Sequence, residues 1–188
     1  MYNLFTYLEK SDYCGIMFKV MRVKALLKNK MLYIITFGCI ILDQIIKIIV
    51  VNSIILFSRI TVINDFFYLT NVRNEGAAWS ILSGNTHILI FISCLVIYLL
   101  YNFFIKNNNL SKIDKVIYGM LYGGIIGNLI DRVFRGYVID YLDFTIFKYD
   151  FPVFNLADSL IVVSMFLLVI TILRGDRNAN SNRWRISW

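Results

Sequence analysis

Two aspartates define the chemistry that this sequence can do. Asp140 stands in Gly136-Tyr-Val-Ile-Asp140, just past an apolar run, and Asp158 stands in Pro152-Val-Phe-Asn-Leu-Ala-Asp158-Ser159, where the next apolar run opens. A tight reversal between the two runs would bring the carboxylates together. In a low dielectric two adjacent carboxylates do not both ionise readily, so one keeps a proton. Such a pair offers an acid and a base at once. One carboxylate takes a proton from water while the other protonates or polarises a peptide carbonyl, which is the requirement for aspartyl hydrolysis of a peptide bond. The titration then belongs to the pair and not to either residue. Asp140 and Asp143 could also be solvated loop carboxylates, but apolar neighbours on both sides argue against that for Asp140. A helix opening near Val153 sets Asp158 about five residues in, ~8 Å below its end. That is too deep for an N-cap.

Further polar residues lie inside apolar runs. Asp43 and Lys47 are four apart, share a helix face and can pair, with Gln44 beside them. Such a pair suits a structural role as well as a functional one. Asn128 and Asp131 are three apart, and Arg132 follows, able to meet a carboxylate or a lipid phosphate. Asp131 is equally readable as a brace or as an active group. Asn155 and Asp158 repeat the three-residue spacing. Ionisable groups in lipid are costly and are functional candidates by default, against the competing reading of interhelical staples. Gly123, Gly124 and Gly127 allow a second helix to approach closely.

The elements that carry these residues follow from composition. Of 188 residues, 59% are hydrophobic and 16% charged, with one proline and a formal net charge of +7. Soluble domains run near ~45–50% apolar and ~25% charged. The mean hydropathy is +0.67. A disordered chain, a disulfide-stapled domain and an ordinary soluble enzyme are excluded, which leaves an integral membrane protein. The basic residues fall in short gaps between apolar runs, which points to membrane orientation and not to nucleic acid. Cys14, Cys39, Cys94 and His87 have no ligand spacing, so zinc sites, Cys–His catalysis and a Ser–His–Asp triad find no residues here.

A bilayer core takes about 20 apolar helical residues. The hydropathy predicts four spans, Met31–Ile55, Ile88–Ile105, Val116–Phe134 and Val153–Leu173. The first is too long for a cleaved signal peptide and lacks a small-residue cleavage site. Lysine and arginine crowd residues 1–30, the gap at 106–115 and the tail at 174–188. Both termini and the middle loop are therefore expected in the cytoplasm, with residues 56–86 and 135–152 outside. The organisation is a basic extension (1–30), a four-helix membrane domain (31–173) and a basic tail (174–188). Residues 59–70 and 139–151 are rich in β-branched and aromatic types and predict short outer strands, the second with a short interfacial helix as an option. Pro152 suits the first turn of the fourth helix. The fold class is a membrane all-α protein with a small β element.

Five blocks stand in order along the chain: Leu42-Asp43-Gln44-Ile-Ile-Lys47, Asn74-Glu-Gly76-Ala-Ala-Trp-Ser80, Gly123-Gly-Ile-Ile-Gly-Asn128-Leu-Ile-Asp131-Arg132, Gly136-Tyr-Val-Ile-Asp140 and Pro152-Val-Phe-Asn155-Leu-Ala-Asp158-Ser159. With four apolar runs, they make the chain from about Met31 to Leu173 resemble the lipoprotein signal peptidases (signal peptidase II), bacterial inner-membrane aspartyl peptidases. The resemblance implies a catalytic dyad of Asp140 and Asp158, supported by Asp43, Lys47, Asn74, Gly76, Asn128, Asp131, Arg132 and Asn155. It implies cleavage of a diacylglyceryl-modified prolipoprotein on the N-terminal side of the lipidated cysteine. It further implies a site on the extracytoplasmic side of the membrane, inhibition by globomycin-type peptides, no cofactor and no metal, and a monomer among membrane lipids. The extension is longer than usual, and Trp79 and Tyr141 stand where phenylalanine is common. Gly76, Ala77 and Ala78 could let a substrate pass close to the backbone or form an ordinary surface turn. Two other classes remain open on the residues alone. A proton-coupled transporter would use Asp43, Lys47, Asp131 and Asp158 as a relay, but lacks repeats and a midplane site. A membrane scaffold would account for the glycines but not for the outer carboxylates.

Overall fold

The computed structural model describes residues 28–76, 82–106 and 109–173. The expectations for the basic extension before Lys28, for Ala77, Ala78 and Trp79, and for the basic tail beyond Leu173 lie outside the described residues.

Helix α1 (Lys30–Ser53) is polar inside and apolar outside. Leu32, Thr36, Asp43, Lys47 and Val50 form its buried stripe, at spacings that return to one face of a 3.6-residue helix. Phe37, Ile41, Ile45 and Ile48 are exposed on the other side. That inversion is the pattern of a helix whose solvent is lipid. Helix α2 (Thr86–Leu100) continues as a π-helical turn at Tyr101–Ile105. Helix α3 (Lys112–Arg135) starts in a capping box between Ser111 and Asp114 and stops at Gly136, whose φ of +82° ends the helix in the left-handed region. Helix α4 (Leu156–Leu173) follows the sheet.

Among the described residues, α1, α2 with its π turn and α4 are long and apolar enough to cross a membrane. Helix α3 matches α1 in length, at 24 residues, but carries charge at both ends. It packs against α1, α2 and α4 and buries most of its small and apolar residues among them. The glycines set how near those neighbours come. A side chain at Gly123 would collide with Cys39 of α1, and one at Gly124 with the backbone carbonyl of Ala157 in α4.

Strands β1 (Arg59–Ile63), β2 (Phe67–Asn74), β3 (Val138–Ile146) and β4 (Tyr149–Asp150) form an antiparallel sheet in that order. The strands expected within residues 59–70 and 139–151 are therefore present. The segment 139–151, for which a short helix was an option, is strand and turn. Between β2 and β3 the register slips: Leu69 faces Leu142, but Val72 faces Asp140. Two residues, Thr70 and Asn71, oppose Tyr141 alone, and this bulge turns the end of β2. Both bulged side chains are tied down. Thr70 Oγ1 donates to the Ser58 carbonyl at 2.8 Å, and Asn71 Nδ2 donates to the Ile54 carbonyl at 2.8 Å.

The fourth helix opens later than Pro152. Residues 151–154 run beside β3 instead, where the Phe154 N–H donates to the Leu142 carbonyl at 3.0 Å and the Leu142 N–H returns to Phe154 at 2.8 Å. A core of Leu32, Ile105, Ile117, Leu121 and Leu168 lies between the helices at one end. A second core of Val50, Ile54, Ile139 and Tyr141 joins α1 to the sheet at the other.

Candidate active site

Asp158 occupies the first turn of α4, not a deeper position. The Asp158 N–H donates to Asn155 Oδ1 at 2.9 Å, and the Asn155 N–H donates to Asp158 Oδ2 at 3.2 Å. This reciprocal exchange is a capping box in which Asn155 is the N-cap; Asp158 is therefore not itself an N-cap, but as the third helical residue it lies shallower than expected and takes part in the cap. The cause is the later helix start. Only Oδ2 is used by the cap, and Oδ1 accepts from Asn128 Nδ2 at 2.7 Å.

Asp140 sits on β3 and is 2% exposed. Its Oδ2 accepts from Asn74 Nδ2 at 2.9 Å, and its Oδ1 accepts from Asn155 Nδ2 at 2.7 Å. The β2 bulge brings Asn74 to that position, because the slip decides which residues of β2 stand across from Asp140. Asn155 thus touches both carboxylates, one through its side-chain amide and the other through its backbone and cap. Burial, and after it the charge of Asp158, pushes the Asp140 carboxyl up to about 7, against the amide hydrogen bonds and Lys47, which lower it. Asp140 and Asp158 face one cavity of about 900 Å³, together with Asn74, Asn128, Arg132 and Ser159. Pro152, Val153, Ile161 and Val162 give it an apolar side that runs down α4.

Behind the carboxylates lies a buried ionic cluster. Lys47 Nζ is 2.9 Å from Asp43 and 2.8 Å from Asp131, and all three side chains are fully buried. The same ammonium donates to Asn128 Oδ1 at 3.0 Å. Asn128 is therefore held by Lys47 on one side while it donates to Asp158 on the other, which fixes which end of its amide is which. Asp43 Oδ1 also accepts the Ala157 N–H at 3.2 Å, and Asp131 Oδ2 accepts the Ile139 N–H at 3.3 Å. One ion cluster thus pins the start of α4 and the start of β3, the two segments that carry Asp158 and Asp140.

Every supporting residue expected from the sequence lies at or next to this site. Arg132 and Gly76 do so as a pair: Arg132 Nη2 donates to the Gly76 carbonyl at 3.0 Å, and the Gly76 N–H donates to Asn74 Oδ1 at 2.9 Å. Arg132 does not pair with Asp131. That partner is Arg135, one helical turn on. Adjacent residues of a helix point apart, whereas i,i+4 residues meet. Gln44 and Arg135 were not among the expected site residues, yet Gln44 Nε2 donates to Asp43 at 3.2 Å and to Asp131 at 3.3 Å, and Arg135 donates to Gln44 Oε1 at 3.2 Å. The i,i+4 spacing of Asp131 and Arg135 was the available signal. Among the described residues, no group of three or more His, Cys, Asp or Glu side chains is arranged to hold a metal ion.

Lipid-facing helices, a capping sheet and a shared two-carboxylate cavity define an integral membrane protein with a candidate acid–base site. Residues 35–174 match the model of the family described as Signal peptidase (SPase) II. The chain is 39% identical over 145 residues to the lipoprotein signal peptidase of Staphylococcus carnosus (strain TM300), covering 77% of this chain and 91% of that protein. It is 38% identical over 139 residues to the lipoprotein signal peptidase of Staphylococcus aureus (strain MRSA252), covering 74% and 85%. A bacterial membrane enzyme solved by the in meso method at 2.3 Å resolution superposes with a TM-score of 0.71 and 36% identity, over 79% of this chain and 90% of that one. A second, solved by the same method at 1.9 Å, gives a TM-score of 0.68 and 38% identity over 75% and 91%. The chain belongs to the signal peptidase II family, and it is by class a membrane protease.

Proposed function

We propose that this protein is an aspartyl endopeptidase of the bacterial inner membrane. In this reading it removes the signal peptide of diacylglyceryl-modified prolipoproteins, cutting on the N-terminal side of the lipidated cysteine. The observation that supports it most is that Asp140 and Asp158 line one cavity and are bridged by Asn155.

The pair carries a single proton at work. The ionised carboxylate removes a proton from water, and the resulting hydroxide attacks the scissile carbonyl carbon. The protonated carboxyl donates to the carbonyl oxygen as it gains charge, giving a neutral tetrahedral species. On collapse of that species the proton taken from water passes to the leaving amine as the C–N bond breaks, and a hydroxyl of the same carbon returns its proton to the other carboxylate as it becomes the new carbonyl, which restores the pair. Asn74, Asn128 and Asn155 hold the carboxylates by amide donors that need no rearrangement during the step. Arg132, at the cavity wall, holds the Gly76 strand end against the substrate backbone. The apolar side along Ile161 and Val162 takes the acyl chains, and it opens toward the lipid phase from which a diacylated substrate arrives.

The same reading has α3 as a fourth span, both termini in the cytoplasm and the sheet with its two carboxylates on the extracytoplasmic side. It has a monomer as the working unit and the cavity as the seat of globomycin-type inhibitors. Purified protein in detergent, given a diacylglyceryl-modified prolipoprotein, is expected to yield the shortened product on a gel, and globomycin is expected to stop it. A prolipoprotein that stays full length under those conditions would overturn the reading.

A further inference from the structure

The β3–β4 hairpin ends in a two-residue turn, Phe147-Lys148, between Ile146 and Tyr149. Both turn residues have positive φ, 50° and 65°. Turns of this kind favour Asn-Gly, because a side chain at positive φ is strained. Here the two positions hold a phenylalanine and a lysine, and Phe147 is 100% exposed. Folding therefore gains nothing from this ring while tolerating its backbone conformation. Tyr149 and Phe151 beside it are also exposed, as are Ile146 at the end of β3 and Phe66 in the β1–β2 turn. An apolar hollow of about 310 Å³ lies among Phe66, Ile146 and Phe151. The acidic residue beside the tip, Asp150, is itself exposed; its Oδ1 accepts from Thr145 Oγ1 at 2.9 Å and lies 4.0 Å from the Arg59 guanidinium, and Lys148 is the cation of the turn itself.

We propose that the Phe147-Lys148 tip lies in the headgroup layer of the bilayer, with its rings among the upper acyl carbons and Lys148 on lipid phosphate. The patch is continuous with the lipid-facing surface, since Phe151 lines the same cavity side as Val162 and Val163 of α4. Phe147 is seven positions along the chain from Asp140, a reach of about 23 Å at ~3.3 Å per residue. A hairpin directed away from the bilayer would hold three exposed aromatic rings in water. Laid along the surface, the same rings and the lysine sit where aromatic residues and cations are favoured. The hairpin then fixes the height and tilt of β3 at the membrane surface.

The test uses the full chain in vesicles of equal parts phosphatidylglycerol and phosphatidylcholine and reads depth, not cleavage, so it stands apart from the proposed activity. Phe147→Trp adds one indole at a fully exposed position, and the signal is its difference from the unsubstituted protein. Lipids brominated near the top of the acyl chain are expected to quench the added fluorescence severalfold more than aqueous iodide does. Quenching by iodide with no effect of brominated lipid would overturn the proposal. Adding Lys148→Glu is expected to reduce bromolipid quenching in the anionic vesicles, and an unchanged value would overturn the phosphate contact.

Discussion

Asn155 Nδ2 lies 2.7 Å from Oδ1 of Asp140, while the backbone N–H and the side-chain Oδ1 of the same asparagine close the capping box that begins the helix of Asp158. The two candidate catalytic carboxylates are therefore spaced by one residue that is also a helix cap. Asn155→Ala is expected to lose about 1 kcal/mol of helix-end stability and, by loosening both carboxylates, roughly 10²-fold in kcat/KM. Thermal unfolding in detergent and cleavage kinetics check the two parts. A variant that loses only stability would show that the bridge has no catalytic value.

Lys47 bridges two fully buried carboxylates, Asp43 and Asp131, the second of which also meets Arg135, and it orients Asn128 as well. Lys47→Met would leave both acids without it. Breaking a buried pair in this way costs about 3–5 kcal/mol. A large drop in Tm is expected, partly recovered when Asp43→Asn is added. An unchanged Tm would mean that the cluster is not what holds β3 and α4 together.

How much of this was legible beforehand depends on whether the relationship is local. Asp43–Lys47, Asn128–Asp131 and Asn155–Asp158 are each fixed by helical spacing, and each was readable as a shared face. The start of α4 was misread at Pro152 because the pairing of Phe154 with Leu142 is a contact between chain segments, invisible to local signals. With the start misplaced, the capping role of Asp158 was lost too. Asn74 could be named from its sequence block, but its contact with Asp140 depends on a bulge at Thr70 and Asn71 that no residue pattern announced. Arg132 and Arg135 were both visible, and choosing the partner of Asp131 required the direction in which α3 presents each face.

Helix α3 meets α4 at Gly124, where an added Cβ would strike the Ala157 carbonyl and Ile161. The obstacle is backbone, so α4 must shift. Gly124→Ala is expected to destabilise by about 1–3 kcal/mol and to reduce cleavage beyond that loss, because Ala157 adjoins Asp158. Gly38, which has open space around it, serves as the control. Equal effects at the two positions would contradict the close-approach account.

Asp140 gives stability a pH dependence whose sign is fixed. In the folded protein its carboxyl holds a proton up to about 7, whereas the ordinary value is 3.8. Between these values the folded state binds more protons than the unfolded state. The Asp140 contribution to stability is therefore fully present below about 4 and is lost as the pH rises to about 7. Tm measured across that interval is expected to fall more steeply for the unsubstituted protein than for Asp140→Asn. Equal slopes would mean that Asp140 ionises in the fold as it does in solution.

The central claim is tested most directly by the cleavage rate of a diacylglyceryl-modified prolipoprotein with Asp140→Asn and with Asp158→Asn. Both purified variants are to be checked for unchanged insertion into membranes. The account predicts that each single substitution abolishes the shortened product. Processing by either variant at near the unsubstituted rate would contradict it.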